Sequence, residues 1–224
     1  MLAPATQTQF HVPVTGPLDR KSAISDSPAL VGIAMSFARN AEIYAEGETA
    51  GYVYKVVSGV VRVSKLLPDG RRQISAFHMP GEMFGFEADE TYHASAEAVV
   101  PTKVIAYKWD GRLGAGQQSV TLMRELLKLT VLGLRQTQDH LLLLGRKNAL
   151  ERLAAFLIEM DTRTGSKRVL DLAMPRHDIA DYLGLTLETV SRMLAELKQM
   201  GTVRMESARR VHILDATRLR AMSG

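Results

Sequence analysis

Glu188, Ser191 and Arg192 fall at i, i+3 and i+4 within LGLTLETVSRML, residues 183–194. On a helix that spacing puts an acid, a hydroxyl and a guanidinium on one face. Such a face can read DNA. Arg192 can donate two hydrogen bonds to guanine O6 and N7, Glu188 can accept from cytosine N4, and Ser191 can touch a thymine methyl or a base edge. Leu187 and Ala195 share the outward face, with Leu187 as a fourth base contact. The competing reading is an ordinary solvated helix surface. Against it stands the carboxylate: phosphates repel Glu188, so it is costly near DNA unless it reads a base or holds the arginine.

The elements that must hold these side chains are legible around them. Residues 176–194 read as two helices. Pro175 stands at the start of the first, where a missing N–H costs nothing, and Ile179, Tyr182 and Leu183 are its inward face. Gly184 ends it, Leu185 plugs the corner, and Thr186 is an N-cap for the next helix. Ala180 is small where crossing helices touch, and Val190 faces back into the corner. This is the pattern of a helix-turn-helix, whose second helix enters the major groove. Arg176, His177, Thr189, Arg209 and Arg210 flank that helix as candidate phosphate contacts, the last two on a wing formed by the runs TVRMES and RRVHIL. A polar tail follows.

Charge distribution agrees. Of the 224 residues, the first 144 carry 14 Lys/Arg and 14 Asp/Glu, so the whole net charge of +4 lies in the last 80. A basic C-terminal module suits a polyanion. There are no cysteines, which excludes a disulfide framework, a thiolate nucleophile and a cysteine-held zinc or iron–sulfur centre. The N-terminal residues show no apolar run behind a basic start, so no secretory signal is expected there, and charged residues break the longest apolar stretch; a cytoplasmic protein without a membrane span is expected. No nucleophile–base pair, phosphate loop or paired metal spacing is present, so neither an enzyme nor a metal site is expected.

The remainder divides into three parts. Residues 1–28, with Pro4, Pro13, Pro17 and Pro28, read as an irregular arm, followed by a short helix over residues 28–37. Residues 29–115 carry Gly47, Gly59, Gly70 and Gly81 at intervals of 12, 11 and 11, between β-rich runs such as YVYKVV and RQISAFHM. That rhythm predicts a β-roll of jelly-roll type. Residues 116–145 turn helical: Leu122, Leu126, Leu129, Gly133, Gln136, His140 and Leu143 form a coiled-coil seam. Leu127, Val131, Leu134, Gln138 and Leu141 make a second stripe beside it. One stripe can cover the chain's own β-domain while the other meets a partner; the seam from Leu122 to Leu143 is expected to hold a homodimer. A single-chain core helix is the alternative. Residues 146–224 hold the DNA-binding part. The fold class is therefore α+β: an N-terminal β-roll, a long dimerisation helix and a C-terminal winged helix-turn-helix.

LETVSR after a G-L-T turn, with the glycine-spaced roll and the long helix, resembles the Crp/Fnr superfamily of bacterial transcription regulators. The resemblance covers nearly the whole chain beyond the arm. The E-x-x-S-R face is similar to the Fnr and FixK branches and implies that Glu188, Ser191 and Arg192 read a TTGA half-site in an inverted repeat. Where the cyclic-AMP receptor branch has an arginine before the glutamate, this chain has Leu187.

The resemblance also bears on ligands. Rolls of that family hold a cyclic nucleotide with a Gly-Glu turn and an arginine some ten residues on. Here Glu87 falls one place late, His93-Ala94 stands where the arginine would be, and no Lys or Arg occurs between Arg72 and Lys103. A buried phosphodiester without a cation is unfavourable, so no cyclic nucleotide is expected. The Fnr-type cluster needs cysteines. A haem- or small-molecule-gated sensor is the alternative, with His78, His93 and His140 as conceivable haem ligands. The FixK type needs no cofactor, and the resemblance implies an activator in low-oxygen, nitrogen-fixation or denitrification programmes, partnered by double-stranded DNA, a second copy of itself and RNA polymerase.

Overall fold

A computed structural model of the chain describes residues 32–108, 117–165 and 168–223, with side chains of its longest helix described at Arg124 and from Leu127 onward. The arm at 1–28 and the seam positions Leu122 and Leu126 lie outside the described residues or side chains. The chain forms two compact units, residues 1–134 and 135–224.

The first unit is an antiparallel β-roll. Its strands are β1 (Gly32–Phe37), β2 (Glu42–Tyr44), β3 (Tyr52–Ser58), β4 (Val61–Leu66), β5 (Arg72–His78), β6 (Met83–Phe84), β7 (Ser95–Ala98) and β8 (Thr102–Lys108). They make two four-stranded sheets, ordered β1-β8-β3-β6 and β2-β7-β4-β5. Ser58-Gly59 turns the chain between β3 and β4. Gly59 has φ +90°, and a Cβ there would lie 2.3 Å from Thr102 Oγ1, so the turn requires glycine on both counts. Residues 32–37 correct the expected short helix. They run as an edge strand from Gly32 opposite Tyr107 to Phe37 opposite Thr102. Met35 and Phe37, alternating with exposed neighbours, pack against the core. Tertiary pairing with β8 overrides the helical propensity of Ala34 and Met35.

Aromatic side chains dominate the roll's interior. Tyr44 stacks on Tyr92 at 3.7 Å between ring centroids and on Tyr54 at 5.6 Å, and Tyr54 stacks on Phe84 at 5.2 Å. The Tyr92 hydroxyl donates to the Tyr52 carbonyl at 2.7 Å. Val56, Val61, Ala96, Val104 and Ala106 fill the space around the rings.

Helix α1 (Gln117–Arg146) contributes residues to both units. In the first unit, Leu129 packs against Val53, Met83 and Tyr107 of the roll. In the second, Leu143 is buried and the His140 ring meets Tyr182 edge-on at 4.2 Å. Leu129, His140 and Leu143 of the expected dimer seam thus pack within the chain, whereas Gly133 and Gln136 of the same seam are exposed. The other stripe is bare: Leu127, Val131, Leu134 and Leu141 are all more than half exposed. The sequence period alone yields two equivalent stripes; the roll and Tyr182 select which one the chain uses.

The second unit continues with α2 (Ala149–Thr164), β9 (Val169–Asp171), α3 (Arg176–Leu183), α4 (Leu187–Gln199), β10 (Val203–Met205), β11 (Arg210–Ile213) and α5 (Ala216–Ser223). A capping box starts α2: Asn148 Oδ1 accepts from Glu151 N–H at 3.0 Å, and Glu151 Oε2 accepts from Asn148 N–H at 2.9 Å. The wing is a three-stranded sheet, β10-β11-β9, rather than the expected hairpin. Leu170 of β9 is buried, giving that short strand a reason to join. The polar tail is in fact α5, which buries Ala216 and Leu219. Its two buried positions lie i, i+3 apart, too sparse a pattern to read against four polar neighbours. No helix among the described residues is long and apolar enough to cross a membrane.

Candidate nucleic-acid interface

The helix-turn-helix is built as its residues dictate. Ile179, Ala180, Tyr182 and Leu183 of α3 are buried against Val190, Leu194 and Leu197 of α4 and the core behind them. Gly184 takes the left-handed conformation at φ 60°, and its N–H donates to the Ala180 carbonyl. Thr186 Oγ1 accepts from Thr189 N–H at 3.1 Å, capping α4. Arg152 of α2 fastens the corner. Its guanidinium donates to the Leu183 carbonyl at 2.9 Å and the Gly184 carbonyl at 3.4 Å, and also to the Leu144 carbonyl at 2.8 Å and the Lys147 carbonyl at 2.9 Å. Four carbonyls at the ends of α1 and α3 are satisfied by one side chain. Nothing in the spacing of Arg152 within LERLAAFL announces this role.

With Val190 wholly buried, the opposite edge of α4 faces solvent. Leu187 is 51% exposed, Glu188 and Arg192 are exposed, and Ser191 is half-buried. Among the described residues neither Glu188 nor Arg192 has an ion-pair partner. Both leave their hydrogen-bonding groups open to an incoming molecule. The Arg176 Nη1 donates to Ser191 Oγ at 3.4 Å, so the first residue of α3 reaches the outward face of α4.

The flanking candidates divide. Arg209 is exposed on the wing and its guanidinium has no partner among the described residues; its backbone alone is engaged, the N–H donating to Ser207 Oγ at 3.2 Å and the carbonyl accepting from Leu172 N–H at 2.9 Å. Arg210 is engaged with Asp171 of β9 at 3.3 Å and Glu206 at 3.6 Å. His177 Nε2 lies 3.1 Å from the buried Asp178 carboxylate. The Thr189 hydroxyl joins the α4 cap, 2.9 Å from Thr186 Oγ1. Glu206 is held below the usual carboxylate range, first by its 2.6 Å hydrogen bond to His212, with Arg210 and Arg204 contributing. Arg204, exposed on β10, is a further cation beside the wing. Strand alternation with the buried Val203 was the available signal for it.

The histidines considered as haem ligands have other roles. His78 stacks on Phe84 at 5.3 Å and lies 3.9 Å from Glu82. His93 is bracketed by Glu87 at 2.9 Å and Asp89 at 3.2 Å. His140 belongs to the second unit, with both ring nitrogens buried and without a hydrogen-bond partner. Desolvation lowers its pKa below the ordinary 6.5, against a smaller opposing influence of the Tyr182 backbone.

Comparison with known proteins gives two family matches: a Crp-like helix-turn-helix domain over residues 151–222 and a cyclic nucleotide-binding domain over residues 34–111. The chain is 45% identical to the nitrogen fixation regulation protein FixK of Azorhizobium caulinodans over 199 residues, 87% of this chain and 80% of that one. It is 35% identical to the transcriptional activator protein anr of Pseudomonas aeruginosa over 188 residues, 81% of this chain and 77% of that one. Among solved structures, FixK2 from Bradyrhizobium japonicum superposes with a TM-score of 0.83 at 46% identity, covering 87% of this chain and 98% of that one.

The second family match raises a cyclic nucleotide as a ligand of the roll, and the residues here do not fit it. The loop after β6 offers Glu87, Asp89 and Glu90 and no lysine or arginine. Its one basic side chain, His93, is already held between two carboxylates. A phosphodiester there would meet like charge without a compensating cation.

Proposed function

We infer the function from family membership: the chain belongs to the Crp/Fnr superfamily of bacterial transcription regulators, in its FixK-type branch, and is a DNA-binding transcription activator rather than an enzyme. From that membership we propose that it acts as a homodimer on an inverted repeat of TTGA-type half-sites, without a bound cofactor, in a low-oxygen, nitrogen-fixation or denitrification programme. The single observation that carries the reading is the outward face of α4. Glu188 and Arg192 stand exposed with no ion pair among the described residues, and Ser191 and the half-exposed Leu187 lie beside them. Arg192 reads guanine, Glu188 the cytosine amino group, Ser191 a base edge, and Leu187 a thymine methyl. Arg176, His177, Thr189, Arg209 and Arg210 supply phosphate contacts, with Arg209 the strongest because its guanidinium is unengaged, and Arg210 the weakest of the two on the wing.

The dimer face of this reading is the bare stripe of α1: Leu127, Val131, Leu134, Gln138 and Leu141. Leu129, His140 and Leu143 of the originally expected seam support α1 from within the chain. A second copy meeting that stripe would bring two α4 helices to successive major grooves about 34 Å apart. RNA polymerase is the further partner, and the cytoplasm, where the chromosome lies, is the place of action.

Selection from a randomised DNA library at fixed salt, with protein checked to be free of cofactor, tests the reading. Enrichment of a palindrome with TTGA-type arms supports it. Enrichment of a single half-site, or binding without sequence preference, overturns it.

A further inference from the structure

The contact between Arg176 and Ser191 defines what Ser191 is able to read. A serine hydroxyl has one proton and two lone pairs, and alone it can serve as donor or acceptor to a base. Inside a helix it commonly turns its proton back onto the carbonyl four residues earlier. Thr162 and Thr164 do this in α2, donating to Ile158 and Met160 at 2.9 and 2.7 Å. Ser191 makes no such bond among the described residues. Its recorded partner is instead a donor, the Arg176 Nη1 at 3.4 Å. A guanidinium has no lone pair to offer, so this contact occupies one of the hydroxyl's two lone pairs and leaves its proton unused. The positive charge also opposes the approach of a base amino group.

We propose that Arg176 is a positioning residue for specificity: by occupying a lone pair of the Ser191 hydroxyl, it biases Ser191 towards acting as a hydrogen-bond donor that selects a base acceptor, thymine O4, guanine O6 or a purine N7, over the amino groups of cytosine and adenine. The remaining guanidinium N–H groups of Arg176, which have no partner among the described residues, face a phosphate at the same time. This assignment rests on the reading of α4 as the base-contacting helix.

The test uses full-length protein and a set of palindromes in which each half-site base is varied in turn, with binding measured at several salt concentrations. Ser191→Ala identifies the position Ser191 reads, as the one where preference flattens. Arg176→Ala is expected to flatten preference at that same position, roughly 2- to 10-fold, besides weakening all sites. The double variant is expected to lose no more preference there than either single one. Arg176→Lys, which keeps the charge but not the planar fork, is expected to restore affinity for non-specific DNA while leaving the preference reduced. Uniform weakening by Arg176→Ala with preference intact, or full preference in Arg176→Lys, overturns the proposal. A Ser191→Ala protein with unaltered preference at every position overturns the base-reading assignment beneath it.

Discussion

Arg62 in the roll and Arg192 on the outward edge of α4 carry the same guanidinium in opposite settings. Arg62 is buried on β4, its Nε 2.9 Å from Glu97 of the neighbouring strand β7, with Arg72 at 3.9 Å from the same carboxylate. Arg192 stands exposed with no ion pair among the described residues. The roll also pairs its polar groups with one another elsewhere, within the fold and at its surface: Tyr92 donates to the Tyr52 carbonyl, and the exposed His93 sits between Glu87 and Asp89. The difference teaches where function resides. Groups that satisfy one another hold a fold together, and groups kept apart from partners are available to a ligand.

Substituting each arginine sharpens that contrast. Arg62→Ala removes a buried side chain and leaves the partly buried Glu97 carboxylate without its nearest partner, and denaturant unfolding is expected to register a loss of about 2 kcal/mol. The DNA sequence preference of the folded fraction stays as it was. Arg192→Ala is the converse: stability moves by no more than about 0.5 kcal/mol, while discrimination at one guanine falls by about 1–3 kcal/mol in competition binding. Loss of sequence preference in the first variant, or of stability in the second, would break the division. Arg209→Ala is expected to weaken every DNA equally and to reduce the slope of log affinity against log salt by about 0.9. An equal effect from Arg210→Ala would show that the Asp171 and Glu206 pairs do not restrain that side chain.

The smallest effect belongs to a buried group without partners. His140 is neutral in the folded chain and binds its proton more readily when unfolded, because burial lowers its folded pKa below 6.5. Stability is therefore retained above that value and declines as pH falls through it toward the folded pKa. His140→Phe keeps an aromatic ring against Tyr182 and is expected to flatten this acid limb in melts recorded across that range. An unchanged limb would assign the acid sensitivity elsewhere.

The same division governs what the sequence revealed. The helix-turn-helix was legible to single residues because its determinants are local: Gly184 at a left-handed turn, Thr186 at a cap, and a 3.6-residue period separating Val190 from Arg192. The roll's strands were legible from glycine turns, but β1 was not, since its conformation depends on β8, some seventy residues away. The same holds for β9, which needs β11 to be a strand at all. Both stripes of α1 were visible, yet their roles were not. That assignment rests on Leu129 meeting the roll and His140 meeting Tyr182, contacts between elements distant in sequence. For the interface, residue types suggested Arg209 and Arg210 equally; Asp171, brought alongside by sheet formation, distinguishes them.

Arg152 gives the second unit a mechanical property. One guanidinium grips the last turn of α1, through Leu144, and the corner before α4, through Leu183 and Gly184. A joint clamped on both sides does not flex independently. Within the second unit, the end of α1 and the approach to α4 are thereby held as one piece by a single side chain.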